Sequence, residues 1–163
     1  MFRNHLKNRT EKISRLIFVC TGNICRSPFA DYRARQLIEN VEICSAGFHA
    51  DDGGPADSMA VVISEKYGVD LKPHTTTRFS RYEIMPTDLV LVMDAYHMSY
   101  IRKSRPDLIN QTVLLGSFCK SKEFPLMIGD PWSQGEISFN FCYRQIEDAL
   151  LGLKDYLLST RID

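Results

Sequence analysis

A chain of 163 residues, 44% hydrophobic and 25% charged, is long enough to bury one core without staples. Lysine plus arginine equals aspartate plus glutamate, 20 each, so no global field draws the protein to nucleic acid or a membrane surface, and any anion site must be local. No apolar run approaches the ~18 residues of a membrane span, and no membrane insertion is expected.

Residues 1–14 are polar and basic, without the long apolar core of a signal peptide, and read as a leader that is expected to fray. Five cysteines, an odd number without the spacing of zinc ligands, point to reduced thiols in a cytoplasm. Leu16 to Val19 is a short apolar run that stops at Cys20-Thr21-Gly22-Asn23, the pattern of a buried parallel strand entering a tight loop. Ser27 to Glu39 turns helical, with Pro28 in the first turn, where its missing N–H costs nothing. Val41 to Cys44 is a second strand, closed by Ser45-Ala46-Gly47. A helix is expected from about Ala56 to Tyr67, ending at Gly68.

Asp88 to Met93 is the clearest central strand, and a helix follows from about Ala95 to Lys103. Thr112 to Leu115 is a fourth strand. From about Ser138 to Ser159, Phe141, Ile146, Leu150, Leu153 and Leu157 recur at helical spacing. Strands alternating with helices predict an α/β fold, a three-layer α/β/α domain over residues 15–163 around a four-stranded parallel sheet. Ligands of such sheets bind beyond the carboxyl ends of the strands, where Cys20 and Asp94 both fall.

Cys20 and Arg26 bracket five residues between a strand and a helix. A loop of Cys20, Thr21, Gly22, Asn23, Ile24, Cys25, Arg26 and Ser27 curled into a semicircle turns its backbone N–H groups inward as an anion nest. The helix N-terminus adds unpaired amides, and Arg26 adds a planar fork matched to two phosphate oxygens. Gly22 and Asn23 tolerate the left-handed backbone that a curl requires. Surroundings of this kind hold a cysteine as thiolate at neutral pH, so Cys20 is the expected nucleophile of a phosphocysteine mechanism that needs no metal or cofactor.

Val19 to Pro28 resembles the signature of the low-molecular-weight protein tyrosine phosphatases, especially bacterial members. The similarity continues through Ser45-Ala46-Gly47, Pro55-Ala56, Gly68 to Leu71, His74, Asp88 to Asp94 and Asp130-Pro131. It implies a phosphatase domain with a phosphate-binding loop after the first strand, and Asp130 as general acid and later base. It also implies Asn23, Ser27, Ser45 and His74 as supports of the loop. Expelling a phenolate at neutral pH needs such a proton donor. A protein phosphorylated on tyrosine is the implied partner, such as an autophosphorylating kinase that governs capsule or exopolysaccharide export.

Cys25 either traps oxidised Cys20 as a disulfide, as the resemblance suggests, or fills space behind the loop. Asp94 either orders the rim or caps the helix after it. Trp132 is expected as one wall for a phenyl ring, and Phe48, with His49 and Asp51, as the opposite one. His97 stands where many relatives carry asparagine. A thioredoxin-coupled arsenate reductase would need two further cysteines near mid-chain, and the segment from Ala46 to Phe118 has none. A phosphoprotein-binding module without turnover has no use for Cys20, Arg26 and Asp130 together.

Overall fold

The computed structural model describes residue 6 and residues 12–160. Strand β1 (Arg15–Cys20) reads as an unbroken apolar run because both of its faces are covered. Leu16 and Phe18 turn to one side of the sheet and Ile17 and Val19 to the other. β1 pairs in parallel with β2 (Glu42–Gly47) and with β3 (Asp88–Val92), and β4 (Thr112–Leu114) adds to β3. The order β2-β1-β3-β4 is the four-stranded parallel sheet expected.

Helices α1 (Arg26–Leu37), α2 (Ser58–Glu65) and α4 (Glu136–Ser159) supply the apolar cluster on one face, and α3 (Ala95–Ser104) supplies Ile101 to the cluster on the other. The α1–α4 seam is aromatic: Phe29 lies on Tyr143 with ring centroids 3.8 Å apart and planes 3° from parallel. Each such fully buried side chain is worth about 1.5–3 kcal/mol relative to exposure. The chain moves outward from β1 to β2 and then crosses back to β3. The carboxyl ends of β1 and β3 therefore flank the switch point where α/β sheets bind ligands.

The structure corrects several boundaries. β2 runs on to Gly47, because Ser45, Ala46 and Gly47 pair with Phe18, Val19 and Cys20 along the full length of β1. α2 starts at Ser58 because Asp57 caps it, accepting hydrogen bonds from the amides of Met59 and Ala60. α4 begins at Glu136, after Gly135 at φ 83°. Phe141 does not join the core with Ile146, Leu150, Leu153 and Leu157; it is half-exposed and meets the ring of Phe124.

Part of the leader belongs to the domain. Leu6 and Ile13 are buried in the core, and Ser14 donates to Thr87 O at 3.0 Å and accepts from Glu42 N at 2.9 Å. The fraying expected of residues 1–5 and 7–11 lies outside the described residues. No helix among the described residues is long and apolar enough to cross a membrane.

Candidate active site

The loop from Cys20 to Arg26 is held by its carbonyls. Cys20 O accepts from Phe48 N (3.0 Å), Thr21 O from His49 N (2.9 Å) and Ile24 O from Asp57 N (2.9 Å). Asn23 O lies 2.8 Å from His74 Nε2, and Cys25 O accepts from Tyr143 Oη at 3.1 Å. Every peptide bond described is trans, so each outward carbonyl turns the next residue's N–H the opposite way. The amides of Thr21, Gly22, Ile24, Cys25 and Arg26 thus face the concave side. The first turn of α1 adds to them, for it carries no side-chain cap and no acidic residue.

Asn23 sits at φ 57° with each of its polar groups engaged. Its amide donates to Cys20 Sγ (3.3 Å), and its Nδ2 donates to Ser27 Oγ (2.9 Å) and Ser45 Oγ (3.1 Å). Its Oδ1 accepts from Thr77 N at 2.9 Å. Asn23, Ser45 and His74, expected as supports of the loop, are joined by these bonds, and the left-handed conformation is stable because so many bonds fix it. Gly22 differs from expectation. It has no positive φ, and a Cβ there would meet only the Ile24 side chain, at 3.5 Å. The close approach is at Gly47, where a Cβ would lie 2.6 Å from Thr21 O and 2.8 Å from Asn23 N.

Cys20 is buried, with Ser27 Oγ 3.0 Å from its sulfur. That hydroxyl accepts from Asn23 Nδ2 and has two acceptors for its one proton, the sulfur and Ala46 O at 3.2 Å. Cys25 is equally buried, and burial pushes its thiol pKa up.

Arg26 is the largest fully buried side chain described. Its Nη1 donates to Asp94 Oδ2 (2.8 Å) and Ile128 O (3.1 Å), and its Nη2 lies 3.1 Å from Asp130 Oδ2. Its Nε has no hydrogen-bond partner, although a buried donor without one is costly. Burial opposes the guanidinium charge, yet Cys20, Asp130 and Asp94 outweigh it and raise its pKa. Asp94 caps α3 through His97 N (3.1 Å), one of the two roles considered for it, and also holds Arg26. Burial works against its carboxylate, but the hydrogen bonds from Arg26 and the His97 amide, with the Arg26 charge, keep its pKa below the usual range.

Asp130 comes to the cradle because Ile128 N bonds Met93 O, just past β3, at 2.9 Å. Its side chain is about half-exposed and accepts from Trp132 N at 3.2 Å. Trp132, expected as a substrate wall, is 56% exposed. Phe48, expected as the opposite wall, is 4% exposed and stacked on Tyr100 with centroids 4.2 Å apart, so its ring has no surface to offer a substrate. The exposed aromatic residue nearby is Tyr96, 56% exposed, whose hydroxyl lies 3.1 Å from His49 Nε2. Asp51 is exposed and pairs with Arg78.

Sequence reasoning missed Tyr143, Asp57, Thr77 and Tyr96. Only Asp57 carried a signal, as a cap residue before an apolar helix.

The sequence pattern of the low molecular weight phosphotyrosine protein phosphatases matches residues 15–161. The low molecular weight protein-tyrosine-phosphatase Etp of Escherichia coli K12 is 31% identical over 138 residues, 85% of this chain and 90% of that protein. The tyrosine phosphatase Wzb of E. coli K30, solved with sulphate, is similar at a TM-score of 0.78 and 32% identity, covering 89% of this chain and 99% of that one. The YwlE arginine phosphatase of Geobacillus stearothermophilus superposes at 0.81 with 26% identity, covering 91% and 96%. With a pattern match spanning nearly the whole domain, and this cradle at the end of its first strand, the chain belongs to the low molecular weight phosphotyrosine protein phosphatase family.

Proposed function

We propose that this phosphatase hydrolyses phosphotyrosine in proteins through a phosphocysteine intermediate. Cys20 attacks phosphorus as the thiolate while the tyrosine oxygen leaves, taking a proton from Asp130. Asp130, now the carboxylate, then draws a proton from a water molecule that attacks the phosphocysteine, releasing phosphate and the thiolate. Inward amides and the Arg26 guanidinium stabilise the equatorial oxygens in both steps, and Ser27 Oγ supports the departing sulfur. The observation that carries the reading is the set of five outward-bonded carbonyls, which leaves five amides converging beside one sulfur and one buried arginine. The unpartnered Arg26 Nε suits an oxyanion, and Wzb was solved with sulphate.

A similar structure is an arginine phosphatase, so phosphoarginine is the second substrate to test. Its leaving group is cationic and favours carboxylate walls. The exposed aromatic side chains that follow Asp94 and Asp130 are Tyr96 and Trp132, and Asp130 is already paired with Arg26, which favours an aromatic leaving group. The partner class remains the tyrosine-rich segment of an autophosphorylated kinase, such as one controlling capsule or exopolysaccharide export. Trapping with Cys20→Ser in cells that make such a kinase should recover it.

The deciding assay compares phosphotyrosine, phosphoserine, phosphoarginine and arsenate without added metal, with Cys20→Ser as control. Turnover of phosphotyrosine alone, lost by more than ~10³-fold in the variant, is expected. Preferential turnover of phosphoarginine, or activity that survives the substitution, would overturn the assignment.

A further inference from the structure

We propose that His97 is a positioning residue of the phosphate cradle, joining Thr21 at one end of the loop to the Asp94–Arg26 pair at the other. This rests on the phosphatase reading of the same site.

The His97 side chain is completely buried at the start of α3. Burying an imidazole is costly unless its nitrogens find partners. Nε2 lies 3.0 Å from Thr21 Oγ1, so the Thr21 hydroxyl faces the histidine while its backbone belongs to the cradle. Nδ1 lies 3.2 Å from Asp94 Oδ1, outside hydrogen-bonding geometry. The same Oδ1 accepts from His97 N, and Asp94 Oδ2 accepts from Arg26 Nη1 at 2.8 Å. A closed path therefore runs Thr21–His97–Asp94–Arg26 and back along the loop. Its length fixes the span between the first amides after the nucleophile and the guanidinium.

The carboxylate beside Nδ1 favours the tautomer with the proton there, so Nε2 accepts and Thr21 Oγ1 donates. The ionisable groups around the ring are Asp94 on its own helix cap, Arg26 from α1, Asp130 from the loop before α4, and His49 from the loop after β2. Burial lowers the His97 pKa by more than Asp94 raises it, to about 4, which favours the neutral ring at pH 7. A second proton would make Nε2 a donor and reverse the bond to Thr21.

Two variants divide the path. His97→Gln places an amide near the Nε2 position and keeps the reach to Thr21; His97→Asn does not. Thr21→Val removes the hydroxyl with little change of shape. On an aryl phosphate, Thr21→Val and His97→Asn are each expected to lower kcat about 10-fold with KM within about twofold. The double variant should be no worse than either single, because both break one link. His97→Gln should stay within about threefold of the parent. Effects that multiply in the double variant, or His97→Asn with parental kcat, would overturn the proposal.

Nitrogen-15 NMR of the ring supplies a readout that needs no turnover. A neutral ring protonated at Nδ1 is expected at pH 7, with the Nε2 resonance moving in Thr21→Val. An Nε2 signal indifferent to Thr21→Val, or a ring that titrates near the ordinary ~6.5, would contradict it. If the parent enzyme hydrolyses no phosphate ester, the functional reading fails, and the NMR result still decides the His97 link.

Discussion

The cradle and the rim above it are built on opposite plans. From Cys20 to Ser27 the chain is buried or nearly so, and bonds arrive from β2, α2, α4 and the segments around His74 and Thr77. At the rim, Asp130 and Trp132 are half-exposed, and Asp130 is tied to the cradle by one ion pair with Arg26. On the proposed function, phosphate chemistry would be met by a preformed surface that needs no reorganisation, and the leaving group by an adjustable one. Selection for the phosphoryl group would then be rigid, and selection among phosphoryl donors left to a few exposed side chains.

The sharpest way to break that contrast is Arg26→Lys. A lysine keeps the charge but loses the fork that reaches Asp94, Ile128 O and Asp130 together. We expect kcat/KM to fall by about 10³-fold on every phosphate ester alike, measured on one good and one poor leaving group. Asp130→Asn should discriminate where Arg26→Lys does not. About 10²-fold loss is expected on phosphotyrosine, whose leaving group needs a proton, and little on an ester with an acidic phenol. Equal loss on both would make Asp130 part of the rigid surface.

The smallest effect tests the scaffold itself. His74 and His97 both support the cradle from buried positions, and burial lowers the pKa of each; hydrogen bonding to Asn23 O partly opposes this for His74, as Asp94 does for His97. In the unfolded chain both rings take up protons as pH falls through ~6.5, while in the folded protein they resist. Below that point the unfolded state binds more protons, so stability present at pH 7.5 is lost on acidification. A loss on the order of 1 kcal/mol between pH 7.5 and 5.5 is expected in urea unfolding, reduced in His74→Gln.

The contrast also explains what could be read from the sequence. The cradle announces itself because its parts are contiguous: a strand, a cysteine, an asparagine able to take φ 57°, an arginine and a helix start. The parallel sheet follows from apolar runs and alternation with helices. Apart from the one made by His74, which the resemblance implied, the bonds that turn the carbonyls outward were not legible, since they come from distant chain with no local pattern; Tyr143 lies 118 residues from Cys25. Phe48 was misplaced for a related reason. An aromatic residue after a strand looks the same in sequence whether its ring faces substrate or stacks on Tyr100 in the core.

Gly47 gives this architecture a mechanical property. With no room for a methyl group between it and the backbone of Thr21 and Asn23, strand and loop touch main chain to main chain. The methyl group of Ala50 closes the remaining side of the contact, 2.9 Å from where a Cβ on Gly47 would lie. The connection after β2, whose Phe48 and His49 amides hold the Cys20 and Thr21 carbonyls, is thus seated directly on the loop that carries the sulfur, and a Gly47→Ala substitution could not be made without moving one against the other.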